Sequence, residues 1–176
     1  ARAIVERFEP LTVLVVGDVM IDHFLIGQVE RISPEAPIPV MAFDHEEYRI
    51  GGAANVANNV RSLGGRVSLV GAIGADEPGQ QLLSELRSAS IDATGIIVAS
   101  DRPTTRKLRI VASRNKQVAR IDFETESELA PKYAQELLAH QSEAAKKADI
   151  IVVSDYLKGV ITSELMTQAL SASRAR

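Results

Sequence analysis

The sequence has no cysteine and only three histidines among its 176 residues. No disulfide framework and no thiolate metal site can be built without cysteine. His23, His45 and His140 are too scattered for a His-built metal site or a catalytic triad. Ser33 and Ser154 have no adjacent His base, so nucleophilic catalysis has no support. No apolar run approaches the ~18 residues of a membrane span, and no basic-then-apolar leader opens the sequence. An excess of one charge is missing as well. Twenty Lys and Arg stand against 23 Asp and Glu, a net charge of −3, which removes the usual case for wrapping nucleic acid or lying on an acidic membrane. What is present is a 45% apolar content, enough for a sizeable core. A soluble, cytoplasmic, single globular unit is expected.

Two continuous apolar runs carry the architecture. Leu11 to Val16 ends at Gly17-Asp18, and Ala148 to Val153 ends at Ser154-Asp155. Runs apolar on both faces read as buried parallel strands. Arg66 to Val70 and Thr94 to Ala99 are further strands, and helices are expected over Ala53–Leu63, Pro78–Ala89, Lys132–Lys147 and from Thr162 onward. Such alternation predicts an α/β fold with right-handed crossovers.

Two segments break the rhythm. Residues 23–50 hold Pro34, Pro37 and Pro39 among apolar alternations, which excludes a helix. Residues 103–124 alternate over Thr105–Ala112 and Gln117–Glu124 around the turn Ser113-Arg114-Asn115-Lys116, a hairpin pattern. Both are expected to form a small β-lid. From Arg102 to Arg120 there are seven basic residues and no acidic one. If the four-residue turn sets the register, Ala112 opposes Gln117, Arg109 opposes Arg120 and Lys107 opposes Asp122. Like charges directly opposite are unfavourable, and a substrate phosphate between Arg109 and Arg120 would offset them. Arg114 and Lys116 at the turn suit a solvated surface, as do Glu124, Glu126 and Glu128 beyond it.

The paired glycines of Gly51-Gly52-Ala53-Ala54-Asn55-Val56-Ala57 precede a helix, where a ligand can approach backbone N–H groups. The Asn55 amide can donate to and accept from a hydroxyl, which suits a polyol. Close helix–sheet packing explains the small residues equally well. Neither G-x-G-x-x-G nor G-x-x-x-x-G-K-[ST] occurs.

This stretch, with Gly64 and then Gly74, resembles the first signature of the ribokinase-like (PfkB) carbohydrate kinases. Gly17-Asp18-Val19-Met20-Ile21-Asp22 and Val70-Gly71-Ala72-Ile73-Gly74-Ala75-Asp76 resemble the family's first two strand motifs. Arg31 to Val40, Thr105 to Arg109 and Ser154 to Gly159 are most similar to its heptose 7-phosphate kinases. The resemblance implies a doubly wound, mostly parallel sheet with a lid, and dimerisation through that lid. It also implies transfer of the ATP γ-phosphate, with Mg²⁺, to the anomeric hydroxyl of a heptose 7-phosphate on the way to ADP-heptose for lipopolysaccharide. Asp22 ranks first as acceptor for two sugar hydroxyls, with Asp18 behind it. Gly51, Gly52 and Asn55 are implied sugar contacts, Lys107, Arg109, Arg120 and Lys158 are phosphate candidates, and Asp155 is a weaker candidate. Tyr156 suits packing.

The family's second signature, Asp-Thr-x-Gly-Ala-Gly-Asp, carries the base and does not occur. Four strands with their helices look like half of a larger sheet, so the sequence reads as truncated and is expected to be inactive alone. Another ribokinase-like kinase acting on ribose, fructose or a fructose phosphate remains an alternative, as does a non-catalytic sugar-binding or dimerisation module.

Overall fold

A computed structural model describes residues 11–112 and 116–174. The core is a four-stranded sheet of β1 (Thr12–Gly17), β4 (Arg66–Gly74), β5 (Asp92–Ala99) and β8 (Ile150–Ser154), in the order β5-β4-β1-β8. Every neighbouring pair is parallel. Because β1 is buried on both sides, alternate residues feed two different cores. Val13 and Val15 pack with Leu82 and Leu86 of α2 (Glu77–Ser88) and with the alanines of α1 (Gly52–Ser62). Leu14 and Val16 pack with Tyr133 and Leu137 of α3 (Pro131–Ala145) and Leu165 of α4 (Ser163–Arg174). Helices therefore cover both faces, as the doubly wound expectation required.

β4 runs past Val70, the end expected from the sequence, to Gly74. At Gly71 an added Cβ would lie 2.8 Å from the Gly17 carbonyl, so this glycine permits close strand approach rather than a turn.

A second sheet has the order β3-β2-β6-β7. It contains β2 (Val19–Ile32), β3 (Pro39–Gly51), β6 (Arg106–Ala112) and β7 (Lys116–Phe123). Only Asp18 separates β1 from β2, and β3 passes directly into α1, so the lid is continuous with the core. The short alternations expected over residues 23–50 are two strands of 14 and 13 residues. Pro34 and Pro37 lie in their connection, which Ser33 closes by donating its N–H to the Ile38 carbonyl at 2.8 Å. Pro39 opens β3 at the sheet edge, where a missing donor is tolerated.

In the hairpin, Arg109 opposes Arg120 and Lys107 opposes Asp122 as the turn length predicted. Ala112, however, opposes Lys116, and Gln117 opposes Val111, because the register shifts between Ile110 and Val111. Such a bulge leaves one residue of β7 unpaired. The turn residues 113–115, including Arg114, lie outside the described residues.

Chain direction across the core sheet explains where a site can form. From β1 the chain proceeds to β4 and then β5 on one side, whereas β8 is added on the other side of β1. Strand order thus reverses at β1, and ligands of open α/β sheets bind outside the strand carboxyl ends at such a point.

Candidate functional site

A cleft of about 810 Å³ opens beside the carboxyl end of β1, between the lid and helices α1 and α2. Met20, Asp22 and Phe24 of β2 project into it, as do Gly51, Gly52, Asn55 and Asn58, with Lys107 and Arg109 of β6 on the lid side. Six of the ten residues singled out from the sequence meet here: Asp22, Gly51, Gly52, Asn55, Lys107 and Arg109.

The two glycines are demanded by packing as well as by the cleft. Gly52 has φ +57°, and a Cβ there would run into the Asp18 carbonyl. A Cβ on Gly51 would lie 3.2 Å from Asp22 Oδ2, crowding a carboxylate that faces the cavity. Asp22 Oδ1 accepts a hydrogen bond from the Arg109 guanidinium, with 23% and 21% of the two side chains exposed. A carboxylate this accessible retains lone pairs for incoming hydroxyls.

The remaining four residues lie elsewhere, and each has a physical reason. Asp18 is 1% exposed. Its carboxylate accepts backbone N–H bonds from Tyr156 at 2.7 Å, Lys158 at 3.2 Å and Val160 at 3.2 Å. It is not available to a sugar; it holds the loop after β8 against the end of β1. Asp155 accepts the N–H of Leu157 at 2.8 Å, a local turn bond. Arg120 binds Asp122 at 2.9 Å, and Arg109 is bound to Asp22. The two opposed arginines are therefore each offset by a carboxylate, and no phosphate is needed between them. Tyr156, expected to pack, instead lines the cleft and is half exposed.

Lys158 reaches away from the cleft to Glu124 at 3.0 Å and Glu126 at 3.3 Å. Lys107 shares Glu124 at 3.2 Å and also contacts Asp122 at 3.3 Å. Glu124 is thus a bridge between lid and core rather than a solvated loop residue. Arg102 reinforces the bridge, donating through Nη2 to the carbonyls of Lys158 at 2.6 Å, Thr125 at 3.2 Å and Ser127 at 3.3 Å.

The hydrogen bond from Lys158 holds the Glu124 carboxyl below the usual carboxylate range, and the same bond pushes the Lys158 ammonium up. A depressed carboxylate contributes stability above its unfolded pKa and loses it as pH falls through the folded one; a raised lysine loses its contribution only as pH rises through its folded pKa. Glu124→Gln should therefore cost about 0.5–1 kcal/mol at neutral pH. That gap should close as pH drops below about 4. Urea unfolding of both proteins across pH checks this, and a gap that persists into strong acid would contradict it.

Residues missed from the sequence include Arg49, Phe24, Asn58, Glu85 and Ser88, all lining the cleft. Arg49 directly opposes Asp22 across β2 and β3. Hairpin register was the signal that could have found it, but the length of the proline-bearing connection hid that register.

This geometry, a carboxylate and Gly-Gly-x-x-Asn at the end of the first strand beneath a β-lid, coincides with a family match. The model of the pfkB family carbohydrate kinases matches residues 11–176. The chain belongs to that family. Among curated relatives, the bifunctional protein HldE of Geobacter sulfurreducens is 44% identical over 166 residues, 94% of this chain and 34% of that protein. Its namesake from Helicobacter pylori is 44% identical over 160 residues, 91% of this chain and 34% of that protein. The chain spans about a third of the length of these relatives.

Solved structures agree in fold. A carbohydrate kinase from Agrobacterium tumefaciens superposes with TM-score 0.68 at 20% identity, covering 94% of this chain and 50% of the other. Arabidopsis thaliana ribokinase complexed with ribose and ATP gives 0.61 at 15% identity, over 94% and 50%. Kinases of this family use ATP and Mg²⁺. Among the described residues no group of three or more His, Cys, Asp or Glu is arranged to hold a metal ion. The three cations of the cleft, Arg49, Lys107 and Arg109, all project from the lid. Among the described residues, the cleft therefore offers carboxylate, amide and cationic groups without a carboxylate cluster arranged for a metal ion.

Proposed function

We propose that this chain is the sugar-recognising portion of a carbohydrate kinase acting on a phosphorylated sugar, a heptose 7-phosphate that receives phosphate at its anomeric hydroxyl. The observation that carries the reading is the polarity of the cleft. Asp22 and Asn55 offer acceptors and a donor for hydroxyls beside Lys107 and Arg109, which offer charge for a phosphate. A neutral polyol would use the first set only. The base and the ATP site of such an enzyme are expected outside the described residues, so the chain alone should bind sugar without turning it over.

Calorimetry with heptose 7-phosphate, unphosphorylated heptose and fructose 6-phosphate tests the proposal. Heptose 7-phosphate should bind most tightly. Equal affinity for the phosphorylated and unphosphorylated heptose would refute the phosphosugar assignment, and preference for fructose 6-phosphate would move the substrate within the family. The lid also supports a homodimer: β7 is an open edge strand exposed along its length, with Val118, Ile121 and Phe123 at the surface. Pairing with a second copy would cover that edge.

A further inference from the structure

The lid face that meets the cleft is organised in two adjacent cross-strand rows. One reads Arg49, Asp22, Lys107, Asp122; the next reads Glu47, Phe24, Arg109, Arg120. Phe24 sits at the centre. The Arg49 guanidinium lies 4.5 Å from its ring centroid, and that of Arg109 lies 5.2 Å from it. Two like charges are thus drawn to one aromatic ring at the wall of the cavity. Each has a carboxylate partner: Glu47 at 2.8 Å for Arg49, and Asp22 for Arg109.

Neither partnership uses up its arginine. A guanidinium carries five N–H donors, and the Glu47 bond occupies one of them. Glu47 and Arg49 are 41% and 63% exposed, so their pair is of the weak, solvent-screened kind that exchanges readily. Contact with the Phe24 ring holds both guanidiniums at the cavity wall, and the N–H groups outside their ion pairs remain to meet oxygen atoms.

We propose that Arg49 and Arg109, both held against the Phe24 ring, form a two-guanidinium clamp for the phosphate monoester of the substrate, with Arg49 setting the preference for a phosphorylated over a neutral sugar. The proposal rests on reading the cleft as a sugar site and adds to it a coupling. Asp22 cannot give its full acceptor capacity to hydroxyls while Arg109 holds it. A phosphate that takes over Arg109 releases Asp22, so capture of phosphate and capture of hydroxyls reinforce each other. The ring pre-positions both cations, which lowers the ordering cost of the clamp.

The test follows arginine Nε–H resonances of the full 176-residue chain by NMR. Inorganic phosphate is the probe, with chloride at matched ionic strength as control. Arg49 and Arg109 should shift together and saturate with one dissociation constant. Arg49→Met keeps the apolar stem on Phe24 and removes the charge. It should weaken phosphate binding by about tenfold or more, with Arg49→Lys in between. Phosphate should also raise the affinity for unphosphorylated heptose in the parent protein, and fail to do so in Arg49→Met. An Arg49 signal that does not respond, or Arg49→Met affinity within about twofold of the parent, overturns the clamp. Failure of the sugar reading would look different: phosphate would still shift both arginines, but heptose 7-phosphate would bind no tighter than phosphate itself.

Discussion

Asp18→Asn is expected to lower the unfolding free energy by about 3 kcal/mol, because it leaves buried backbone donors without an acceptor. Three N–H groups, those of Tyr156, Lys158 and Val160, converge on this one carboxylate. An amide in its place presents one oxygen and one NH₂, so at least one donor would face another donor. Asp18 also anchors α1, since its carbonyl accepts the Ala53 N–H at 2.9 Å, and its own N–H donates to Ser154 at 3.1 Å. The substitution leaves these two backbone bonds in place, so what it removes is the loop clamp alone. A loss of this size is a large part of a domain's total stability. Urea titration monitored by circular dichroism reads it out as a lower midpoint. A cost below about 1 kcal/mol would mean that water replaces the carboxylate freely, contrary to its burial.

The second large effect is on binding. Asp22→Asn should weaken binding of heptose 7-phosphate by about a hundredfold, the equivalent of losing two hydrogen bonds to a charged acceptor. It should leave inorganic phosphate bound as well as before, or better, because Arg109 loses the carboxylate that occupies it. The two ligands responding in opposite directions is the signature. Parallel loss of both would mean that Asp22 supports the lid rather than the ligand. Asp22 keeps its place in the β2–β3 ladder, so the strand pairing itself should survive the substitution.

Much of the fold was legible because its signals are local. Val13 to Val16 are apolar in unbroken succession, and that pattern has one economical explanation, a strand covered on both faces. The start of α1 was marked by Gly51-Gly52, since few other residues tolerate the close approach to Asp18 and Met20. Hairpin register was legible around Arg109 and lost near Ala112. A bulge is a property of how two strands twist together and has no fixed residue code.

Site residues divided along the same line. Asp18 and Asp22 both follow a strand, four residues apart, and nothing local tells them apart. Their fates were decided by residues far along the chain: the loop at 156–160 claims Asp18, and Arg109 claims Asp22. The place of Lys158 beside a glycine at a strand end suggests a phosphate ligand. Topology brings the return segment of the lid alongside it, and Glu124 binds it first.

By itself, then, the sequence determined an α/β chain of the pfkB family, the strand that ends beside the cleft, and a carboxylate, two glycines and an amide that the cleft brings together. These depend on hydrophobic period and backbone sterics, which act over a few residues. Only the tertiary structure decided which charges neutralise one another, that Asp18 is a clamp, and that Arg49 joins Arg109 over Phe24. Electrostatic partners are selected by distance in space, and strand order, not sequence spacing, sets that distance.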